Sequence, residues 1–126
     1  MHDLHVDVVG ALEDAFIFRG RRYFAHDVEH TVDQCIGTTE HAAVAAFVVN
    51  DVFVIAVECS DGSNALRMCI PIVSHVLEVH HAPIDVLVFL HPHTIPRDCH
   101  GEKQRFRMRD ALAAGSVHPL FSIFAE

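Results

Sequence analysis

His91 and His93 stand one residue apart in VFLHPHTIPRDCHGE, residues 88 to 102, and Asp98, Cys99, His100 and Glu102 follow closely. In an extended chain, residues two apart point to one face with their Cα atoms about 7 Å apart, so both imidazoles can converge on one ion. Neutral imidazole suits zinc, and a catalytic zinc takes three protein ligands while keeping its fourth position for water. A carboxylate is therefore needed nearby. Asp98 ranks first, because its loop is bracketed by Pro96 and Gly101 and its short side chain can fold back toward the imidazoles. Glu102, in the first turn of a following helix, and Asp110, about two turns further on, rank behind it. The same residues also read as a polar closure where a strand leaves the core, with Pro92 and Pro96 shaping the loop.

Other pairings carry less chemistry. His26 and His30 are four apart, but Asp27 follows His26 and Glu29 directly precedes His30, so H-E-x-x-H is not formed. Cys99 and His100 are adjacent, whereas a nucleophile and its base usually come from distant parts of a chain. SDGSN, residues 60 to 64, is too short for a glycine-rich phosphate loop and is read as preceding a strand. Two basic groups, Arg19, Arg21 and Arg22, and Lys103, Arg105, Arg107 and Arg109, read as solvated or locally paired charge, with an anionic ligand as the other reading.

Composition bounds these options. The chain has 126 residues, 51% of them hydrophobic, which suits one globular domain over 1–126. Seventeen acidic residues against nine basic give a formal charge of -8, which argues against nucleic acid or an anionic membrane as partner. The longest apolar runs are shorter than half a membrane span, and MHDLHVDVVG lacks the regions of a signal peptide. The expectation is a soluble, cytoplasmic protein. Four cysteines without a C-x-x-C pair point to reduced thiols.

The elements that must position the histidines follow from periodicity and turn residues. Residues 1–39 form an N-terminal region in which LHVDVVGALEDAFIF has near-helical spacing, while FIFRGRRYFA also reads as a hairpin turning at Arg19-Gly20. HAAVAAFVV and VFVIAVECS form a second hairpin about Asn50-Asp51. A helix is predicted from Pro71 to near His81, since proline suits a first turn. Its predicted face is Ile72, Val73, Val76, Leu77 and His80. IDVLVFL is a buried strand ending at His91, residues 101–114 a helix with Gly115 as its cap, and PLFSIFA a closing strand. The fold class is α+β, sandwich-like, with a mixed, mainly antiparallel sheet flanked by helices.

This order over residues 40–126 resembles the JAB/MPN metalloproteases, particularly their RadC-like branch. That family has a glutamate ahead of a hairpin, a helix, and a buried strand ending in H-x-H-P. Here Glu40 precedes HAAVAAFVV and VLVFLHPH supplies H-x-H, but Thr94 replaces the proline and the family's aspartate spacing falls on Gln104. The resemblance implies a zinc held by His91, His93 and Asp98, with Glu40 as general base in hydrolysis of a peptide or isopeptide bond. Its partner would be a protein or peptide substrate. The alternative is a non-catalytic acidic interaction domain, either a metal-free relative or an inhibitor acting by surface mimicry, and the large apolar fraction suggests a homodimer.

Overall fold

Strand alternation divides the apolar residues between two faces of one sheet. The structure is a computed structural model and describes residues 15–36, 44–59, 63–117, 119 and 121–124. In chain order these form β1 (Ala15–Phe18), β2 (Arg21–Phe24), α1 (Ala25–Ile36), β3 (Val44–Val49), β4 (Val52–Glu58), α2 (Ser63–His80), β5 (Val86–Leu90), α3 (Arg105–Ala113) and β6 (Phe121–Phe124).

The sheet order is β3-β4-β5-β6. β4 and β5 run parallel and the two outer pairings are antiparallel, giving the expected mixed α+β architecture. Val44, Ala46, Phe53, Ile55, Leu87 and Phe89 face α1, α2 and the β1–β2 hairpin, where Val28, Val32, Ile72 and Val76 are buried. Ala45, Phe47, Val54, Val88 and Leu90 face the opposite way, onto Ile95 and the α3 residue Met108. Phe53, fully buried, joins hairpin to sheet, with the rings of Phe16, Phe18 and Tyr23 centred 5.4, 5.5 and 6.3 Å away. Burying such a side chain contributes about 1.5–3 kcal/mol.

Both two-residue turns need left-handed backbone. Arg19 and Gly20 have φ of 53° and 79°, and Asn50 and Asp51 have 51° and 62°, the conformation whose twist matches an antiparallel pair. The hairpin reading of Arg19-Gly20 therefore holds over residues 15–24, where Phe16, Ile17 and Phe18 are in a strand and not a helix. Residues 4–14 lie outside the described residues. SDGSN leads into a helix and not a strand, and α2 begins at Ser63, not Pro71, so the proline sits in its interior. Pro71 is exposed, and the carbonyl its missing N–H leaves without a helical donor belongs to exposed Arg67. Water can satisfy that group. α3 starts at Arg105, because residues 96–104 form a closed loop of their own. Among the described residues, no helix is long and apolar enough to cross a membrane.

Candidate functional site

Parallel β4 and β5 end side by side at Glu58 and Leu90. In open α/β sheets ligands bind beyond the carboxyl ends of such strands. Here that edge carries the segment from His91 to Gln104. Its first leg is fixed from below: Glu58, buried at the end of β4, accepts a hydrogen bond from the Ile95 N–H at 2.7 Å, and Ile95 plugs the second core cluster. Thr94 Oγ1 donates to the His91 carbonyl at 2.7 Å.

The segment then folds on itself. The Asp98 N–H donates to the Glu102 carbonyl and the Gln104 N–H to the Pro96 carbonyl, both at 2.9 Å, and Arg97 bridges Lys103. Asp98 Oδ1 accepts from the backbone N–H groups of His100 at 2.8 Å and Glu102 at 3.0 Å. The Glu102 amide holds the Asp98 carboxyl below the usual carboxylate range against the opposing effect of burial, and the His100 amide and ring add lesser pulls in the same direction as Glu102. The result is a tight, preorganised tip that exposes Cys99, His100 and Glu102.

The second leg is held by charge. Glu29 on α1 is 2% exposed, and its carboxylate meets Lys103 Nζ at 2.7 Å and Arg105 Nε at 2.6 Å. Arg105 Nη2 donates to the other Glu29 oxygen at 2.6 Å, making the pair bidentate. The Ala46 N–H on β3 also donates to Glu29, and Lys103 Nζ donates to the Val44 carbonyl. Leaving one member of such a buried set unpaired costs about 3–5 kcal/mol. Asp33, one turn further along α1, has its carboxyl pushed up by burial, while Lys103 pulls it back down. Arg109 lies 3.2 Å from Asp110, so it too is locally balanced. Arg97 and Arg107 differ, for among the described residues their side chains donate only to neutral oxygens, the Gly101 carbonyl and Gln104 Oε1. They leave positive charge beside the loop.

The sequence-predicted zinc ligands sit on this same segment but not as expected. β5 ends at Leu90, so His91 and His93 lie beyond the strand and the two-residue alternation no longer governs them. Both are exposed, and His93 has a left-handed φ of 67°. Asp98 turns its carboxylate onto its own loop. Glu40 lies outside the described residues. Among the described residues, no group of three or more His, Cys, Asp and Glu side chains is arranged to hold a metal. The residues that sequence reasoning missed are Glu29 and Glu58. The signal for Glu29 was its place on the apolar stripe of α1 with Ala25, Val28 and Val32, where a carboxylate needs a cation.

Comparison with known proteins identifies the relatives. The family described as Disco-interacting protein 2-like, AMP domain, matches residues 13–118. Human Disco-interacting protein 2 homolog B is 35% identical over 116 residues, covering 90% of this chain and 7% of that protein. The medium-chain-fatty-acid–[acyl-carrier-protein] ligase TtuA of Teredinibacter turnerae is 29% identical over 126 residues, with 90% and 19% covered. The chain thus spans a small part of the length of these curated relatives. Its fold superimposes with a TM-score of 0.62 on a fatty acyl-adenylate ligase from Legionella pneumophila, solved with acyl adenylate and pyrophosphate. That match has 15% identity and covers 87% of this chain and 23% of the ligase. These matches overturn the JAB/MPN resemblance, and with it zinc and hydrolysis of peptide or isopeptide bonds. The alternative, an acidic interaction domain or mimic, gains no support from relatives of this kind. The order hairpin, helix, strand, helix, strand is shared by unrelated α/β proteins and carried no chemistry of its own.

Proposed function

We infer function from one premise, that the chain belongs to the Disco-interacting protein 2-like AMP-domain family, and propose that it is one module of a ligase that activates a fatty acid as its adenylate. The related ligases are named for a medium-chain fatty acid and for a fatty acyl-adenylate. Acyl adenylate and pyrophosphate are the products of a carboxylate and ATP. A carboxylate oxygen attacks the α-phosphorus, the new acyl–O–P bond forms, the bond from that phosphorus to the bridging oxygen breaks, and pyrophosphate leaves with the electron pair. The proposed substrates are therefore ATP and a fatty acid, and the proposed partners are those small molecules and the remainder of the ligase.

Within that reaction the chain's part is to bring the loop of residues 91–104 against the phosphates. Glu58 and Glu29 fix its two legs, and Asp98 draws the tip amides inward so that the loop keeps one shape. Arg97 and Arg107, the cations beside the loop without an acidic partner among the described residues, attract the polyphosphate and stabilise charge on departing pyrophosphate. The family match over residues 13–118, which includes this loop, carries the reading.

The test is pyrophosphate release by the full-length protein that contains this chain, given ATP and medium-chain fatty acids. The double variant Arg97→Gln, Arg107→Gln is expected to lower kcat/KM for ATP by about 10²-fold, the loss of two charge-assisted contacts. Release at the native rate by the variant would remove these arginines from the reaction. No fatty-acid-dependent release by the native protein would end the ligase reading.

A further inference from the structure

The two legs of the loop are anchored differently. Glu58 comes from the strand beneath the loop, whereas Glu29 comes from α1 on the other side of the sheet. α1 packs on the face carrying Val44, Ala46 and Phe53, and the loop and α3 pack on the face carrying Phe47, Val88 and Leu90. The ion pairs from Glu29 to Lys103 and Arg105 therefore pass around the open edge of the sheet at β3. On the way they take up two outward backbone groups of that edge, the Ala46 N–H and the Val44 carbonyl. One carboxylate ties two layers and the edge strand to the residues on both sides of Gln104, whose N–H closes the loop onto Pro96.

We propose that Glu29 is a positioning residue, which sets where the loop of residues 91–104 stands relative to the sheet and so holds the candidate site in one place. This deepens the ligase reading and rests on it only for its effect on the reaction. Glu29 touches no substrate. It acts through Lys103 and Arg105, and its loss takes from both the buried carboxylate that they share, which loosens the second leg from the β3 edge.

The experiment compares Glu29→Gln with Val32→Ala in the full-length protein. Val32 is fully buried one turn along the same helix, so its truncation weakens α1 without touching the loop. Amide hydrogen exchange is read at Asp98 and Gln104, whose N–H groups close the loop, and at Ala46. Glu29→Gln is expected to speed exchange there by about tenfold at a temperature where the protein stays folded, whereas Val32→Ala speeds exchange within α1 and leaves these three amides near native. Removing Lys103 in the Glu29→Gln background, by Lys103→Met, is expected to bring exchange part of the way back, because the partly buried ammonium that had faced Glu29 is gone. Native exchange at these amides in Glu29→Gln, or an equal rise in Val32→Ala, overturns the proposal. Where Glu29→Gln does not fold, Lys103→Met alone decides it: a rise at Asp98 and Gln104 no larger than in Val32→Ala overturns it and a selective rise supports it. Pyrophosphate release separates the two readings. Faster loop exchange with lower kcat and nearly native KM for ATP supports both, whereas faster exchange with native kcat keeps the positioning role and removes the loop from the reaction.

Discussion

Asp98 shows how a conspicuous residue can be placed correctly in sequence and misread in chemistry. It was expected to give its charge to a metal, but its carboxylate is spent on the amides of His100 and Glu102. That use is testable by pH. Because those donors lower its pKa in the folded chain, the contribution to loop stability is present above the ordinary value of 3.8 and is lost as pH falls through the lower folded value. Carboxyl NMR of Asp98 is expected to show a midpoint below 3.8. Asp98→Asn is expected to speed exchange of the His100 and Glu102 amides at neutral pH, a difference that shrinks once the native carboxyl is protonated. An ordinary midpoint with unchanged exchange would mean the two bonds do not hold the tip. Glu29 presents the opposite case. Its partners lie 74 and 76 residues away, and no local spacing reveals a pair of that kind. What the sequence did contain was a carboxylate on an apolar helical stripe and a cluster of cations elsewhere, two halves that only the fold brings together.

Elements were legible where turn residues and alternation agreed. Asn50-Asp51 and Arg19-Gly20 both accept left-handed backbone, and the apolar runs beside them have strand composition, so both hairpins follow from local chemistry. β5 was legible for a similar reason, since VLVFL is buried on both faces between β4 and β6. The start of α2 was not. A proline is a reasonable first-turn residue, and nothing local says that eight residues ahead of it are already helical. Pro71 is tolerated because it faces outward, which keeps its ring and the freed carbonyl away from the core, but the lost hydrogen bond still costs stability. Pro71→Ala is therefore expected to stabilise the protein by about 1–3 kcal/mol, read as a higher urea midpoint at unchanged slope. A lower midpoint would show that the proline itself is needed for packing α2 on α1. His80, near the end of the same helix, lies 2.6 Å from Thr31 of α1, and burial lowers its pKa while Asp27 opposes the shift. A lowered histidine pKa contributes stability that is complete above pH 6.5 and lost as pH falls through the folded value. Thermal stability of the native protein is expected to decline on acidification below pH 6.5, and less so in His80→Gln.

At the scale of the whole molecule the two faces of the sheet have different burdens. One face carries two helices and a hairpin on a continuous apolar cluster, whereas the other carries the loop and α3, a short helix whose buried residue is Met108. α3 has no side-chain N-cap, since Gln104 makes no capping bond, so its attachment depends on Met108 in the core and Arg105 on Glu29. This asymmetry predicts where the protein opens first. Met108→Ala removes most of a fully buried side chain and is expected to cost about 2–5 kcal/mol locally, a large share of the 5–15 kcal/mol that holds a domain folded. Because Ile95 shares that cluster, exchange is expected to rise across residues 95–113 together while α1 and α2 keep their protection. Val76→Ala, the matching change on the other face, is expected to raise exchange in α2 and leave the loop near native. If Met108→Ala instead lowers protection uniformly across the sheet and both faces, the loop and α3 are part of one cooperative unit with the rest, and the ionic link at Glu29 is a minor addition to a core that already fixes the site.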